Sequence, residues 1–254
     1  AIGSERYVPF SRRRIPQELM TNAHALLGNT QTSLSKYVLI VAREDDPFLS
    51  ARQIPDFFHH LLLRVDWARD LHFITRTTMD TLDYSGISLN QGSKVIIAAA
   101  GEPKRSLKTS LPRRDWPWKT ANPRLLAPGI LVLQGPQHQQ PRDTADPAVE
   151  SFCSRLSGHE ELEGFPLIVL ADDSAFTARS WDNFLWVAFT RSDPATDIYG
   201  LNSFNHCKHW GCEPTLVIDA RLKTYHAPPL ESDPDVEKRV NALGAPGGPL
   251  HGVI

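Results

Sequence analysis

The sequence is poor in cysteine, in net charge and in long apolar runs. Its three cysteines cannot all pair within one chain, which argues against a secreted disulfide scaffold. The 27 Lys and Arg residues nearly balance the 29 Asp and Glu residues, so no overall field favours nucleic acid or an anionic membrane. Apolar runs such as residues 95–100 are far too short to span a bilayer. With 41% hydrophobic residues among 254, the chain is still expected to fold.

The usual catalytic signatures are also missing. The sequence has no GxxxxGK[ST] phosphate loop, no GxGxxG at the start of a helix and no HExxH zinc motif. Residues 86–90 lack the closing Gly of a nucleophile elbow. Simple hydrolase and nucleotide-dehydrogenase functions therefore lose support. The first residue is Ala and no signal-peptide pattern follows it, so we expect a cytoplasmic protein and a piece of a longer chain.

A tandem repeat is the strongest internal pattern. Residues 45–70 align without a gap on residues 172–197, a shift of 127 positions. Nine of the 26 aligned positions are identical, and the helix-entry residue Ser50 is matched conservatively by Thr177. The identical pairs include Asp45/Asp172, Asp46/Asp173, Arg52/Arg179, Phe57/Phe184 and Ala68/Ala195. The repeat predicts an internal duplication.

Each copy is predicted to run from a strand through a helix to a second strand. Continuous apolar runs at 37–42 and 166–171 suit first strands that are covered on both faces. Later apolar runs at 94–100 and 215–220 suit the second strands. The order of these elements predicts an α/β fold with two similar three-layer α/β/α lobes.

Helices are predicted before and within each copy. Residues 16–27 and 147–156 have Pro early and Gly near the exit, as helices often do. Within the copies, Ser50 and Thr177 are expected to cap the main helices, and Gln53 completes a capping box in the first copy.

Composition between the copies indicates a linker. Residues 102–124 carry seven basic and two acidic side chains, and residues 134–146 are rich in Gln and Pro and are expected to be exposed. We therefore divide the chain into an N-terminal arm (1–20), a first α/β lobe (21–101), a basic and proline-rich linker with one strand near 129–134 (102–146), a second α/β lobe (147–230) and a C-terminal tail with a short helix (231–254).

A repeated Arg-x-Asp-x-x-x-Asp pattern is the clearest polar motif. Its members are Arg64, Asp66 and Asp70 in the first copy and Arg191, Asp193 and Asp197 in the second. The arginine would suit a carboxylate or phosphate, and an aspartate would suit a cation. Alternatively, the motif locks the exit of the helix onto the next loop. The double occurrence favours this structural role, because two active sites per chain are unusual.

Four potential metal ligands stand within residues 206–212. They are His206, Cys207, His209 and Cys212. Thiolate and imidazole would suit zinc or iron, and Gly211 would let the loop fold around an ion. The spacing matches no standard Cys-x-x-Cys pairing, however, and the first copy has no counterpart. A metal-free turn is the favoured interpretation.

Several stretches resemble the C-terminal domain of the UbiD family of decarboxylases. Residues 32–41 (TSLSKYVLIV) resemble the start of that domain, and residues 190–198 (TRSDPATDI) and 217–223 (VIDARLK) resemble its later motifs. The resemblance covers most of residues 20–230. The double copy is similar to the longer members of the family, some of which are linked to quinone biosynthesis.

The resemblance implies reversible, non-oxidative decarboxylation of an aromatic or α,β-unsaturated carboxylic acid. The family uses prenylated FMN, held with a divalent metal (Mn or Mg) and potassium, as the electron sink when CO₂ leaves. Its members assemble as homodimers or larger oligomers. Its flavin-binding domain and its Arg-Glu-Glu catalytic trio precede the C-terminal domain, and we find no match for them in this chain. We therefore assign no catalytic residue and expect the flavin on a preceding domain or a catalytic partner subunit.

In the family, this domain closes over the flavin and lines the substrate side of the pocket. The segments best placed for that role are 75–85 and 189–204, which follow the main helices of the two copies. The candidate pocket residues are Thr75, Arg76, Thr77, Asp80, Asp83, Tyr84, Thr190 and Arg191. Two alternatives stay open. One is a non-catalytic oligomerisation or scaffold module, and the other is a small zinc-binding regulatory domain based on residues 206–212.

Overall fold

The α/β class predicted from the sequence is confirmed by a computed structural model, which describes residues 1–5, 14–228 and 233–253. The helices are α1 (Gln17–Leu27), α2 (Ile54–Arg64), α3 (Pro147–Leu156), α4 (Ser174–Thr177), α5 (Trp181–Thr190), α6 (Pro194–Asp197) and α7 (Pro234–Gly244). The strands are β1 (Ile2–Gly3), β2 (Tyr37–Ala42), β3 (Leu71–Thr78), β4 (Gln91–Ala99), β5 (Arg124–Ala127), β6 (Ile130–Gln134), β7 (Leu167–Ala171), β8 (Ile198–Gly200), β9 (Phe204–His206), β10 (His209–Gly211) and β11 (Leu216–Asp219).

Two main sheets share one topology over four strands each. The first has the order β1–β2–β4–β3, and the second has the order β5–β6–β7–β11–β8. In the first sheet β1, β2 and β4 are parallel and β3 runs antiparallel to β4. In the second sheet β6, β7 and β11 are parallel and β8 runs antiparallel to β11. Both the order and the strand directions therefore match.

Helices cover both faces of the first sheet. On one face Leu19 of α1 packs with Ile40 and Ile96, and on the other Leu61 of α2 packs with Val95. Strands β2 and β4 are continuous apolar runs because both of their faces are buried, as the sequence predicted.

The second lobe repeats this arrangement and shares a core with the first. Phe152 of α3 packs on one face of its sheet, and Phe184 of α5 packs on the other. The ring of Phe58 in α2 lies 5.1 Å from that of Trp181 and 6.1 Å from that of Phe184. One apolar cluster therefore includes α2, α5 and residues of both sheets.

A set of buried polar contacts joins the lobes at the exit of α5. Asp193 accepts hydrogen bonds from the backbone N–H of Ser93 at 2.9 Å and from its hydroxyl at 2.7 Å. The Ser93 hydroxyl in turn accepts from the backbone N–H of Ala195 at 2.8 Å. The hydroxyls of Tyr37 and Ser192 lie 2.7 Å apart. We call Tyr37, Ser93, Ser192 and Asp193 the inter-lobe joint.

The predicted helix caps were wrong. Helix α2 begins at Ile54 after Gln53, which makes no side-chain cap, and the Ser50 hydroxyl accepts only from the backbone N–H of Arg52. In the second copy Thr177 lies inside the four-residue helix α4, and Ser180 caps α5 by accepting from Asn183 at 3.2 Å. The extra turn of α4 moves the cap of the main helix three residues along the chain, from the predicted Thr177 to Ser180.

The region between the copies is largely built into the second lobe. The strand expected near 129–134 is β6, which pairs with β7 within the second sheet. Residues 134–146 were expected to be exposed, but His138 and Asp146 are buried. This segment covers the side chain of Arg221, and a Cβ on Gly135 would lie 2.5 Å from the Cδ of that arginine.

The ends of the chain are described in part. Residues 6–13 of the predicted arm, residues 229–232 between the second lobe and the tail, and residue 254 lie outside the described residues. The short helix expected in the tail corresponds to α7. Within the described ranges, we find no helix with the length and apolar character needed to cross a membrane.

Candidate functional site

A cleft of about 720 Å³ lies between the two lobes. The first lobe contributes Asp80, Leu82, Asp83, Tyr84 and Ser85, from the loop between β3 and β4. The second lobe contributes Trp186, Thr190 and Arg191, from the end of α5, together with Leu222 and His226. The cleft therefore depends on contacts that only the packed pair of lobes provides.

Aspartate turns shape the loop of the first lobe. The Asp80 carboxylate accepts from the backbone N–H of Leu82 at 2.8 Å. The Asp83 carboxylate accepts from the backbone N–H and the hydroxyl of Ser85, at 2.9 and 2.6 Å. Such side-chain-to-backbone bonds hold a turn without help from a sheet. Leu82 and Tyr84 are thereby left exposed at the rim of the cleft.

Lys36 ties this loop to the start of β2. Its buried ammonium lies 2.7 Å from an Asp83 oxygen and donates to the Ser85 hydroxyl at 2.7 Å. Burial lowers the pKa of Lys36, while the Asp83 carboxylate opposes that shift. Lys36 therefore neutralises the Asp83 carboxylate and anchors the loop between β3 and β4.

Arg191 is held at the opposite end of the cleft by two partners. Its guanidinium donates to the Asp172 carboxylate at 3.2 Å and lies 5.1 Å from the centre of the Trp186 ring. The same Asp172 oxygen accepts from the backbone N–H of Leu222 at 2.8 Å. Asp172 thus fixes the exit of α5 and the segment after β11 relative to each other.

His226 lines the cleft and carries a buried donor without a partner. Its Nδ1 accepts from the backbone N–H of Lys223 at 3.4 Å, so the ring proton is on Nε2. Nε2 is buried and has no hydrogen-bond partner. Burial lowers the pKa of His226 to about 3, and the positive charges of Lys223, Lys36 and Arg191 add to that shift.

The structure brings most of the predicted pocket residues together. Asp80, Asp83, Tyr84, Thr190 and Arg191 all line the inter-lobe cleft. Thr75 instead lines a separate cavity of about 590 Å³, beside the β9–β10 hairpin.

Arg76 and Thr77 do not line the cleft. They lie on β3, and the exposed Arg76 side chain is 3.6 Å from Asp143. Sequence analysis missed Trp186, His226 and Lys36 as site residues. None of the three belongs to a polar motif, and the chain fold alone brings them to the site.

The repeated Arg-x-Asp-x-x-x-Asp pattern closes the turn after each main helix. Asp70 accepts from the backbone N–H of Asp66 at 2.9 Å, and Asp197 accepts from that of Asp193 at 2.7 Å. Arg64 lies 3.8 Å from Asp45, as Arg191 lies 3.2 Å from Asp172. This geometry favours the structural interpretation, although Arg191 also reaches the cleft.

A buried charge network lies behind the cleft. The Arg221 guanidinium donates to both oxygens of Asp219 and to Asp146, each at 2.7 Å. Lys223 lies 3.2 Å from Asp197 and donates to the backbone carbonyls of Asp219 and Arg191. Through Lys223 the network holds the exit of α5, where Arg191 enters the cleft.

The two central carboxyls of this network differ in their affinity for a proton. Burial raises the pKa of Asp197 to about 7, with Lys223 opposing the shift. Burial also acts against ionisation of Asp219, but Lys223 and Arg221 outweigh it and lower the pKa of that group. Asp219 is therefore the ionised partner, and Asp197 retains a proton up to about neutral pH.

We expect the Asp197→Asn variant to gain stability relative to wild type as pH rises. The unfolded chain releases the Asp197 proton near the ordinary value of 3.8, whereas the folded chain holds it up to about 7. The wild-type fold therefore loses stability across that window, and the amide does not. Urea midpoints of both proteins at a series of pH values measure the difference. The lowered pKa of His226 makes both proteins gain stability as pH rises, so its effect cancels in the comparison. Urea midpoints that change in parallel with pH in the two proteins would contradict the assignment.

The predicted metal ligands are not brought to one point. His206 and Cys207 lie exposed on the β9–β10 hairpin, whereas the buried Cys212 thiol donates to the Thr215 carbonyl at 3.6 Å. His209 faces His72, with the ring centres 5.9 Å apart. The described residues hold one group of three close potential ligands, His138, Asp146 and Asp219, which includes none of the four.

That group does not suit a divalent cation. Arg221 donates to both of its carboxylates at 2.7 Å, so its guanidinium already neutralises them and would repel a second positive charge. This group is therefore not a fitting site for the manganese or magnesium ion implied by the family resemblance.

Comparison with known proteins decides the family. Residues 4–99, which include the first sheet, match the model of the 3-octaprenyl-4-hydroxybenzoate carboxy-lyase C-terminal domain, known as UbiD_C. The chain belongs to the UbiD family. The UbiD-family chain is 32% identical over 234 residues to a protein of Chlamydia pneumoniae that is named as one of the subunits of 4-hydroxybenzoate decarboxylase. It is 30% identical over 231 residues to an uncharacterized protein of Chlamydia muridarum.

These relatives extend the match beyond the first lobe. Each alignment covers 91% of the UbiD-family chain, and hence both lobes. The chain spans 37% of the length of either relative.

Proposed function

We propose that this chain is the C-terminal part of a UbiD-like non-oxidative decarboxylase acting on an aromatic or α,β-unsaturated carboxylic acid. One observation carries the proposal: similarity to a decarboxylase subunit extends over 91% of the chain, across both lobes. In the reaction, the bond to the carboxyl carbon breaks, CO₂ leaves, and a proton takes its place on the substrate carbon.

The flavin belongs to a different part of the proposed enzyme. Prenylated FMN, its divalent metal and potassium would be held by a preceding domain or a catalytic partner subunit. The occupied carboxylates around Arg221 support this division, because they offer the cation no open position. We therefore assign to this chain the closing of the pocket and contact with the substrate, and no step of the chemistry.

The inter-lobe cleft is the surface of the chain best suited to that role. It contains five of the residues predicted from the sequence, and it combines exposed aromatic side chains with paired charges. Concave sites with an apolar lining and a few convergent polar groups are the usual form of small-molecule sites.

A common origin of the two lobes is part of the proposal. The shared strand order and the equivalent aspartate turns at Asp70 and Asp197 support descent from one duplicated unit. In this view the second copy kept the fold and gained the Arg221 network.

A second candidate function, an oligomerisation module, is favoured by helix α7. Val236, Val240 and Leu243 are all exposed along it, at the spacing of one helical face. Such a stripe suits the homo-oligomers implied by the family resemblance. Light scattering on the 254-residue chain tests it: a dimer or larger species supports association, and a monomer at all concentrations contradicts it.

The decarboxylase proposal is tested on the whole protein that contains this chain. Co-expression with a flavin prenyltransferase is expected to yield protein with flavin absorbance that releases CO₂ from 4-hydroxybenzoate or a related acid. The same protein expressed without the prenyltransferase is the control. Protein that binds the modified flavin but releases no CO₂ from a panel of such acids would overturn the assignment.

A further inference from the structure

The buried network around Arg221 holds one carboxyl group more than it has cations. Its cations are Arg221 and Lys223, and its carboxyl groups are those of Asp146, Asp197 and Asp219. All five side chains are buried. Ionisation of all three carboxyl groups would leave a buried negative charge without a counter-charge, which is strongly unfavourable. One proton bound within the network removes that excess charge.

Asp197 is the carboxyl group that takes this proton. Arg221 supplies the counter-charge of Asp146 and Asp219, to which it donates at 2.7 Å. Asp197 has only Lys223, at 3.2 Å, and the charge of Lys223 also acts on Asp219. Burial raises the pKa of Asp197 to about 7, in agreement with this count of charges.

Other charged and titratable groups face Asp197 from the elements around it. The Lys36 ammonium, just before β2, feels the charge of Asp197 but is paired with Asp83 at 2.7 Å. The neighbouring Asp193 carboxylate is bonded to Ser93. Burial raises the pKa of the surrounding phenol hydroxyls, so they stay uncharged at neutral pH; they belong to Tyr37, Tyr199 and Tyr225. Among the described residues, the counter-charge of an ionised Asp197 therefore remains the shared Lys223.

Asp197 also anchors the inter-lobe joint from inside the second lobe. Its carboxyl group accepts a hydrogen bond from the backbone N–H of Asp193 at 2.7 Å, just before α6. On the side of the first lobe, Asp193 and Ala195 are bonded to Ser93. Helix α6 has only four residues, and so short a helix has little stability of its own. Its position therefore depends on two anchors, Ser93 on one side and the Asp197 carboxyl group on the other.

From this arrangement we infer that Asp197 is a proton-operated latch on the inter-lobe joint. With its proton, the Asp197 carboxyl group is neutral and stays buried while α6 is held against Ser93. Without its proton, it adds a negative charge for which the network has no further cation, and movement of α6 away from Ser93 lets water hydrate that charge. Acid therefore closes the joint, and neutral pH loosens it. The inference is independent of the flavin and of the decarboxylation proposed for the whole protein.

The pH range of the effect follows from the two states of the latch. In the open joint the Asp197 carboxyl group is hydrated and has its ordinary pKa of 3.8, whereas in the closed joint its pKa is about 7. The closed joint is therefore most favoured below this window and loses stability as pH rises through it. Above about pH 7 the carboxyl group is ionised in both states, so the effect levels off.

Hydrogen exchange of the Ser93 amide in the 254-residue chain tests whether the joint opens locally. The exchange rate is measured by NMR and divided by the intrinsic rate at each pH, with the Val169 amide of β7 as the reference for global unfolding. We expect Ser93 to exchange at least about tenfold faster than Val169, because opening of the latch exposes less of the chain than unfolding does. Equal protection of the two amides at every pH would overturn the inference.

Asp197→Asn tests whether the proton controls this opening. The amide oxygen can still accept from the Asp193 backbone N–H, but the side chain no longer ionises. Between about pH 5.5 and pH 7.5 the protection of the Ser93 amide is expected to fall at least about fivefold further in wild type than in the variant. The lowered pKa of His226 acts alike in both proteins. The same pH dependence of Ser93 protection in both proteins would contradict the latch.

A measurement on the wild type alone decides the matter if the Asn variant does not fold. The ¹³C signal of the Asp197 carboxyl group is expected to titrate with a midpoint at about 7, and the protection of the Ser93 amide is expected to level off at the same pH. A midpoint near 3.8 would show that the joint closes over an ionised carboxylate, contrary to the inference.

Discussion

Replacing Arg221 by Ala is expected to lower the free energy of unfolding by about 3–5 kcal/mol. The Arg221 side chain is fully buried and bonded to Asp219, Asp146 and the carbonyl of Pro136, all at 2.7 Å. Truncation leaves the buried Asp146 carboxylate without its counter-charge and leaves Asp219 with that of Lys223 alone, so their desolvation is no longer fully compensated. A loss of this size is a large fraction of the stability of an ordinary domain.

Chemical denaturation followed by circular dichroism measures this loss. Arg221→Lys is expected to fall between wild type and the Ala variant, because an ammonium keeps the charge but cannot form the fork to Asp219. Arg52→Ala, at an exposed position of the repeat, serves as the control and is expected to unfold like wild type. A loss below about 1 kcal/mol in both Arg221 variants would contradict the role given to the network.

Replacing Asp193 by Ala is expected to cost about 3 kcal/mol and to loosen the inter-lobe joint. Its carboxylate accepts two buried hydrogen bonds from Ser93, and each bond to a charged acceptor contributes about 1.5 kcal/mol or more. The Ser93 backbone N–H donates to this carboxylate at 2.9 Å. Its hydrogen exchange is therefore expected to accelerate together with the loss of stability.

A double-mutant cycle with Ser93→Ala isolates the contact between the lobes. The two substitutions are expected to be non-additive by at least about 0.5 kcal/mol, because they remove partners of the same hydrogen bond. Asp115→Ala, at an exposed aspartate outside the joint, is the matched control. Additive losses would mean that Asp193 and Ser93 stabilise their own lobes separately.

The parallel strands could be predicted because both of their faces are buried. Strand β2 was predicted to the residue, and β7, β4 and β11 were predicted to within a few residues, from continuous apolar runs. Helix α3 followed equally well from its Pro and its trailing Gly. These patterns are local, so they can be recognised in the sequence without knowledge of the tertiary contacts.

The edge elements could not be predicted in the same way. Strand β3 is half-exposed and carries mixed polar residues, so it has no continuous apolar run. The β9–β10 hairpin turns at Cys207 and Lys208, with φ of +48° and +66°. Asn-Gly is the usual signal for such a turn, and Cys-Lys gives none. The ligand-like residues around the turn were considered as a metal site, with a metal-free turn as the favoured interpretation, and three of them belong to the hairpin.

The cleft itself was predictable only in part. The position of segments 75–85 and 189–204 after the main helices led to five of its lining residues. His226 stands apart from the repeated motifs, and the residues next to it in the sequence give no indication of an orphaned donor. That property depends on the turn at Lys223, whose backbone N–H occupies Nδ1, and on the packing that buries Nε2 without a partner.

Decarboxylation by the whole flavin-loaded protein with Trp186→Ala is the most direct test of the cleft as the substrate-contacting surface. Phe48→Ala is the matched control, because this aromatic side chain is 93% exposed and does not line the cleft. We expect kcat/KM to fall about tenfold for Trp186→Ala and to stay at the wild-type value for Phe48→Ala. Wild-type kcat/KM in both variants would contradict the account.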